Sequence, residues 1–237
     1  MTLVSLELQR IMRRRGSFFG ATGVGIAVGL LALLAAWGDQ TESVWTQAFG
    51  IPIVFGATII GALAGSYDTA QGTMRYLVLT GQPRTKLILL RLPALLAAIA
   101  LFATPAALIT LGAMAGDGQS AEAIARVLGG NLAGAFVWGT VSMAIGTMLR
   151  SNGAGIGVAL TLFLAGSILT QVVRTEVSEA AGNYLLPYAS FVVMAVGHAN
   201  PGEEPIAIGL AAAAIATLAW VAAFLTAAVV RAQRDEY

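Results

Sequence analysis

Six long apolar stretches dominate the pattern of hydrophobic and polar positions along the chain. Each has about the 20 apolar residues that an α-helix needs to cross a bilayer, and none contains Asp, Glu, Lys, Arg or His. The stretches are Ser17–Trp37, Trp45–Ser66, Leu92–Met114, Val127–Leu149, Gly153–Val173 and Ile206–Val230. The pattern predicts an all-α membrane protein with six transmembrane helices, which form a single transmembrane domain over residues 1–237.

A polar segment, residues 67–86, separates the second and third apolar stretches. Asp68 with Gln71 three residues later resembles a capping box, which predicts that a helix begins at Asp68. Gly81 followed by Pro83 is typical of a helix end. Three apolar residues at helical spacing lie between these limits, namely Met74, Leu77 and Val78. We predict a short amphipathic helix that contacts a soluble partner; the alternative is an interfacial loop whose arginines only set topology.

Residues 1–16 precede the first apolar stretch and combine an apolar stripe with basic residues. The stripe follows helical spacing and consists of Val4, Leu8, Ile11 and Met12. The basic residues of this region are Arg10, Arg13, Arg14 and Arg15. The pattern predicts a helix that lies in the membrane interface and binds anionic lipid head groups. The alternative is an ordinary basic flank of the first span.

Basic residues fall mostly on one side of the six-span arrangement. Of the 13 Lys and Arg residues, all but Arg126 and Arg174 lie on the side that holds both termini. These residues are Arg10, Arg13, Arg14, Arg15, Arg75, Arg84, Lys86, Arg91, Arg150, Arg231 and Arg234. Because basic residues mark the cytoplasmic side of a membrane protein, we expect both termini in the cytoplasm and the chain in a cytoplasmic cell membrane.

Residues 174–205 form the longest connection on the opposite, external side. Within it, Tyr184–Val196 is apolar but too short to cross a bilayer as a helix. A seventh span there would also move Arg231 and Arg234 to the external side. We therefore predict re-entrant external half-helices before the sixth span, broken at Pro187.

Small residues recur at a spacing of four within the apolar stretches. The pairs are Gly25/Gly29, Gly61/Gly65, Gly112/Gly116, Gly130/Gly134 and Gly153/Gly157. In lipid, such pairs let two helix backbones approach closely. We interpret them as helix-packing positions rather than as phosphate-binding loops, which need exposed amides at a helix start.

Composition supports the membrane class and narrows the possible activities. Hydrophobic residues make up 57% of the chain and charged residues 11%, with a mean hydropathy of +0.81. There is no cysteine, and His198 and Lys86 are the sole histidine and lysine. We therefore expect no metal or cofactor site and no nucleic-acid partner. The chain also lacks a P-loop motif, so we do not expect it to be an ATPase or another enzyme itself.

The polar segment resembles a signature of the membrane permeases of ATP-binding-cassette (ABC) exporters of the second type. The resemblance rests on Asp68-x-x-x-Gly72-Thr73, then Leu77, Gly81, Arg84 and Arg91. Gly81 stands where that family often has Pro, Asp68 where Glu is more usual, and Arg91 where Lys is more usual. The order of interfacial helix, six spans and external half-helices is similar as well.

The resemblance implies that the polar segment is a coupling helix held by a separate cytosolic ATPase subunit. The residues it assigns to this coupling are Asp68, Gly72, Thr73, Met74, Arg75, Leu77, Val78, Gly81, Arg84 and Lys86. It further implies a working unit of two ATPases, which bind ATP and Mg²⁺, and two permease chains, the same or homologous. A bacterial cytoplasmic membrane is the expected location, with membrane lipids around the chain.

Other classes of function remain as alternatives at this stage. An ion-coupled secondary carrier normally keeps an ionisable residue within its spans, and the six stretches contain none. An intramembrane hydrolase would need a catalytic constellation at membrane depth, which this sequence does not supply. A non-transporting membrane scaffold stays open. Uncharged spans favour an apolar or amphipathic substrate, without identifying it.

Overall fold

A computed structural model of the chain describes residues 3–12, 23, 42–71, 83–196 and 206–234. Within these residues the secondary structure is helical and contains no strand. The helices are α1 (Leu3–Met12), α2 (Glu42–Ala70), α3 (Arg84–Gly116), α4 (Ala121–Leu149), α5 (Asn152–Glu176), α6 (Glu179–Asn183), α7 (Leu186–Met194) and α8 (Leu210–Gln233). The predicted all-α class is confirmed.

Five of these helices are long and apolar enough to cross a membrane. The qualifying segments are Ala48–Ala70, Thr85–Gly116, Ala121–Leu149, Asn152–Glu176 and Leu210–Gln233. They correspond to the second through sixth predicted spans. The first predicted span, Ser17–Trp37, lies outside the described residues except for Gly23. The structure therefore supports a membrane protein with five candidate spans among its described residues.

Helices α2 and α4 form the central pair of the bundle and share its most extensive helix–helix interface. A Cβ atom at Gly61 would overlap the carbonyl oxygen of Gly139, and one at Gly65 would overlap that of Met143. On the opposite side of the contact, Gly146 lies against the carbonyl oxygen of Ala62. The two backbones therefore touch directly, which confirms the packing role predicted for the Gly61/Gly65 pair.

The glycine pairs do not all contribute to packing between the described helices. Gly130 and Gly134 on α4 do, because they lie against Met194 at the end of α7. By contrast, a Cβ atom at either member of Gly112/Gly116 or Gly153/Gly157 would meet no other described atom within 4 Å. For these two pairs the predicted packing contact is absent among the described residues. Gly25/Gly29 lies outside them.

Helices α5 and α8 form the periphery of the bundle. Buried residues make up 17% and 22% of their most apolar windows, compared with 72% for α2 and 67% for α4. Their outward surfaces carry large apolar side chains, including Ile168, Ile215 and Leu218, which are at least 65% exposed. In water such surfaces would be costly. They fit contact with lipid tails or with another membrane chain.

The connection between α5 and α8 contains two short helices, α6 and α7. They are separated at Tyr184 and Leu185, so the predicted break at Pro187 is displaced by two residues. Pro187 instead lies in the first turn of α7, where its missing N–H would have no intrahelical acceptor in any case. Helix α7 packs against α4, α5 and α8. Two short helices are thus present, of which only α7 lies within Tyr184–Val196, and their re-entrant position stays a prediction. The end of the connection, residues 197–205, lies outside the described residues.

Candidate functional site

Helix α2 continues through the beginning of the polar segment. Asp68 lies in the last turn of α2, which ends at Ala70, so the prediction that a helix begins at Asp68 is wrong. Its carboxylate forms an ion pair with Arg91 of α3. The apolar helix that precedes Asp68 continues through it to Ala70, even though Asp68 and Gln71 match the pattern of a helix start.

A buried ion pair between Asp68 and Arg91 joins the end of α2 to the beginning of α3. The Nη2 of Arg91 donates a hydrogen bond to Oδ2 of Asp68, and the two side chains are only 4% and 3% exposed, respectively. The Nη1 of Arg91 lies 3.4 Å from the carbonyl oxygen of Ala64, one turn before Asp68 on α2. Because either charge alone would be strongly unfavourable at this depth, the pair fixes the relative position of the two helix ends.

Further polar contacts bring the ends of other helices to the same place. The Oγ of Ser66 on α2 lies 2.8 Å from Oδ1 of Asn152, at the start of α5. The hydroxyl of Thr147, near the end of α4, lies 3.4 Å from the carbonyl oxygen of Gly65. At the end of α8, Nε2 of Gln233 donates to the hydroxyl of Thr85 on α3 at 3.1 Å. Five long helices therefore converge at one end of the bundle.

This end of the bundle is the basic end. Its described helix termini and turns carry Arg84, Lys86, Arg91, Arg150, Arg231 and Arg234. The opposite end carries Arg126 in the first part of α4 and Arg174 in the last turn of α5. The described structure thus brings together in space basic residues that are separated in the sequence.

Most residues predicted for partner contact lie outside the described part of the chain. These residues are Gly72, Thr73, Met74, Arg75, Leu77, Val78 and Gly81. Of the others, Arg84 is the first residue of α3, Lys86 is exposed on its first turn, and Asp68 is buried in the ion pair. Because Asp68 is buried, its side chain does not offer an exposed contact surface to a partner.

The N-terminal helix α1 packs against α3. Within its predicted apolar stripe, Leu8 is half-buried and Ile11 is 8% exposed as part of the main hydrophobic core. This stripe therefore packs, at least at these two positions, on protein rather than on lipid tails. Arg10 lies on α1, whereas Arg13, Arg14 and Arg15 lie outside the described residues.

A cavity at the other end of the bundle had no sequence signal apart from the position of Arg174. Its volume is about 500 Å³, and its walls come from α2, α4, α5 and α7. In the described parts of the chain, no three His, Cys, Asp or Glu residues are grouped so as to hold a metal ion. Because its volume lies within the range of small-molecule sites, the cavity is a candidate for an organic ligand.

Comparison with known proteins adds no family to these observations. No protein-family model matches the chain, and no curated protein is significantly similar to it.

Proposed function

We propose that the chain is the membrane-spanning permease subunit of an ABC transporter. In this proposal it moves an apolar or amphipathic substrate across a bacterial cytoplasmic membrane, using ATP that a separate cytosolic ATPase hydrolyses. The observation that carries the proposal is the buried Asp68–Arg91 pair, which joins the two helices that precede and follow residues 72–82 in the sequence. Both residues also belong to the sequence signature that resembles the coupling helix of such permeases.

The ion pair suits a segment that transmits force. Residues 72–82 begin and end within a few residues of two helices that Asp68 and Arg91 join. A displacement of the segment would therefore move the ends of α2 and α3 together. Because α2 touches α4 backbone to backbone, the displacement would pass into the centre of the bundle.

The charge distribution supports the orientation in this proposal. The basic end of the bundle would face the cytoplasm. The first predicted span, Ser17–Trp37, would bring the number of spans to six, which places both termini on that side. Helices α6 and α7 would then form the external re-entrant pair. The exposed apolar surfaces of α5 and α8 would contact lipid and a second permease chain, while two ATPases bind below.

An ion-coupled secondary carrier is the second candidate, because Asp68 is a buried carboxylate of the kind such carriers use. Its position favours the permease instead. Asp68 lies in the last turn of its helix, and its carboxylate already has Arg91 as counter-ion. A transport carboxylate is more useful at the middle of a span, where it can bind and release an ion.

Copurification of the ATPase with variants of the polar segment tests the permease proposal. Leu77→Asp would place a carboxylate in the predicted apolar contact, and Gly72→Trp would block close approach of the partner. We expect normal membrane levels, weaker ATPase recovery and lost transport. Val177→Asp is the matched control, because Val177 is 75% exposed in a turn at the other end of the bundle. Full ATPase recovery with both segment variants would contradict the proposal.

A further inference from the structure

The cavity between α2, α4, α5 and α7 has an apolar interior. Ile51 of α2, Trp138 of α4, Phe163 of α5 and Phe191 of α7 line it. The rings of Trp138 and Phe163 meet edge to face with their centroids 5.1 Å apart, which fixes one wall. The volume of about 500 Å³ lies within the range of small-molecule sites. Such walls fit one hydrocarbon chain.

Arg174 places a cation at the edge of this cavity. Its guanidinium carbon lies 5.3 Å from the centroid of the Tyr188 ring. Its Nη2 is 3.8 Å from Oε1 of Glu179, which is too long for a hydrogen bond, and Glu179 is itself mostly exposed. Its buried Nε has no hydrogen-bond partner among the described residues. Arg174 therefore retains donor capacity for an anion.

Thr170 lies one turn before Arg174 on α5 and also lines the cavity. It is 4% exposed, and its hydroxyl has no hydrogen-bond partner within the described ranges. Two other buried threonines, Thr58 of α2 and Thr147 of α4, each donate to a carbonyl four residues earlier at 2.8 Å. Thr217 of α8 is unpaired within the described ranges like Thr170, but it does not line the cavity. An unpaired buried hydroxyl is unfavourable, so a bound acceptor would relieve it.

We propose that this cavity binds a single-chain anionic amphiphile, such as a fatty carboxylate or an alkyl phosphate. The anionic oxygens accept hydrogen bonds from Arg174 and Thr170, and the hydrocarbon chain packs against Trp138 and Phe163. An arginine suits this head group, because its planar donors match the oxygens of a carboxylate or phosphate. The site does not depend on the transporter proposal, since it lies within one chain and needs neither ATP nor an ATPase.

Tryptophan fluorescence gives a direct test on the full chain, reconstituted in nanodiscs of phosphatidylcholine. The probe is stearic acid brominated at the middle of its chain, which quenches tryptophans that it touches. The methyl ester of the same acid is the neutral control, with an identical chain. We expect saturable quenching by the acid at a concentration at least about tenfold lower than by the ester. Equal quenching curves would overturn the proposal.

Variants then locate the site. Trp138→Phe should remove most of the saturable quenching by the brominated acid. Undiminished quenching in this variant would place the ligand elsewhere and overturn the proposal. Arg174→Gln should weaken acid binding about tenfold or more, and Thr170→Val about two- to tenfold. Arg126→Gln is the matched control: Arg126 is 19% exposed against 20% for Arg174, and each has a glutamate oxygen at 3.8 Å. An equal loss in the control would refute a specific role of Arg174.

Competition identifies the head group. Unbrominated dodecanoate and dodecyl phosphate are added to the quenched complex, with dodecyl maltoside as the neutral amphiphile. Recovery of fluorescence at lower concentrations of either anion than of the maltoside supports the proposal, and the stronger competitor shows whether the site prefers carboxylate or phosphate. Equal potency of all three compounds would show a general apolar pocket and refute anion recognition.

Discussion

Replacing Arg91 with Met should strongly destabilise the protein. The change leaves the carboxylate of Asp68 buried without its counter-ion and also removes the contact with the carbonyl oxygen of Ala64. Both side chains of the pair are less than 5% exposed. The small contribution to stability that is typical of solvent-exposed ion pairs therefore does not apply here. The cost of breaking a buried pair is about 3–5 kcal/mol in the free energy of unfolding.

The double variant Asp68→Leu/Arg91→Met provides the decisive comparison. It removes both charges and replaces them with apolar side chains, so the free energy of unfolding should return to within about 1–2 kcal/mol of the original protein. The single variants and the double variant together form a double-mutant cycle, in which their effects should be strongly non-additive. Arg126→Met is the control, because Glu122 is exposed and the cost should stay below about 1 kcal/mol.

The assay is unfolding of the purified protein in mixed micelles by dodecyl sulfate, followed by far-ultraviolet circular dichroism. The variants are compared at a fixed micelle composition. Two results would refute the reasoning. The first is an Arg91→Met variant as stable as the original protein, which would mean that water solvates Asp68. The second is a double variant that loses as much stability as the two single variants summed.

Three further outcomes follow from the fold and the proposed function. Cysteines introduced into this cysteine-free chain at Asp117 and Thr85, the two ends of α3, should differ in intact cells: an impermeant thiol reagent should label the first and not the second. Labelling of both or of Thr85 alone would contradict the orientation. Transport into vesicles should require ATP hydrolysis and persist with an uncoupler; loss of transport while ATP remains would favour the ion-coupled carrier. Gly61→Leu should destabilise the α2–α4 contact by about 1–3 kcal/mol or prevent folding, whereas Gly157→Leu, which faces open space, should change stability little; equal effects on unfolding would disprove the packing role.

The sequence predicted the all-α class and the five candidate spans of the described residues, because these depend on local composition and length. It failed at Asp68, where an aspartate followed by a glutamine suggested a helix start and the structure has a helix end. Local capping patterns are weak when a neighbouring apolar helix can extend through them. The pairing with Arg91 joins residues 23 positions apart, and no periodicity in the chain reveals it.

The cavity was also hard to predict from the sequence, because its walls come from residues that are distant in the sequence. Thr170 and Arg174 share a helix face, so their proximity could be read from their spacing. Their relation to Trp138 depends on how α4, α5 and α7 pack, and no spacing along one helix encodes that. The two glycine pairs that face open space show the same limit, because identical spacing marks a helix contact in one place and none in another.

The direct contact between the α2 and α4 backbones has a consequence for which sequence changes this protein can accept. At most core positions a larger side chain can be accommodated by repacking its neighbours, but the obstacle beside Gly61 and Gly65 is main chain, which cannot change rotamer. Even alanine would force the two helices apart. On the outward surfaces of α5 and α8, at residues such as Ile168, Ile215 and Leu218, apolar residues should be freely exchangeable. In a complete library of single substitutions, changes at the glycines between α2 and α4 should therefore be poorly tolerated. Apolar changes on the outward surfaces of α5 and α8 should be well tolerated.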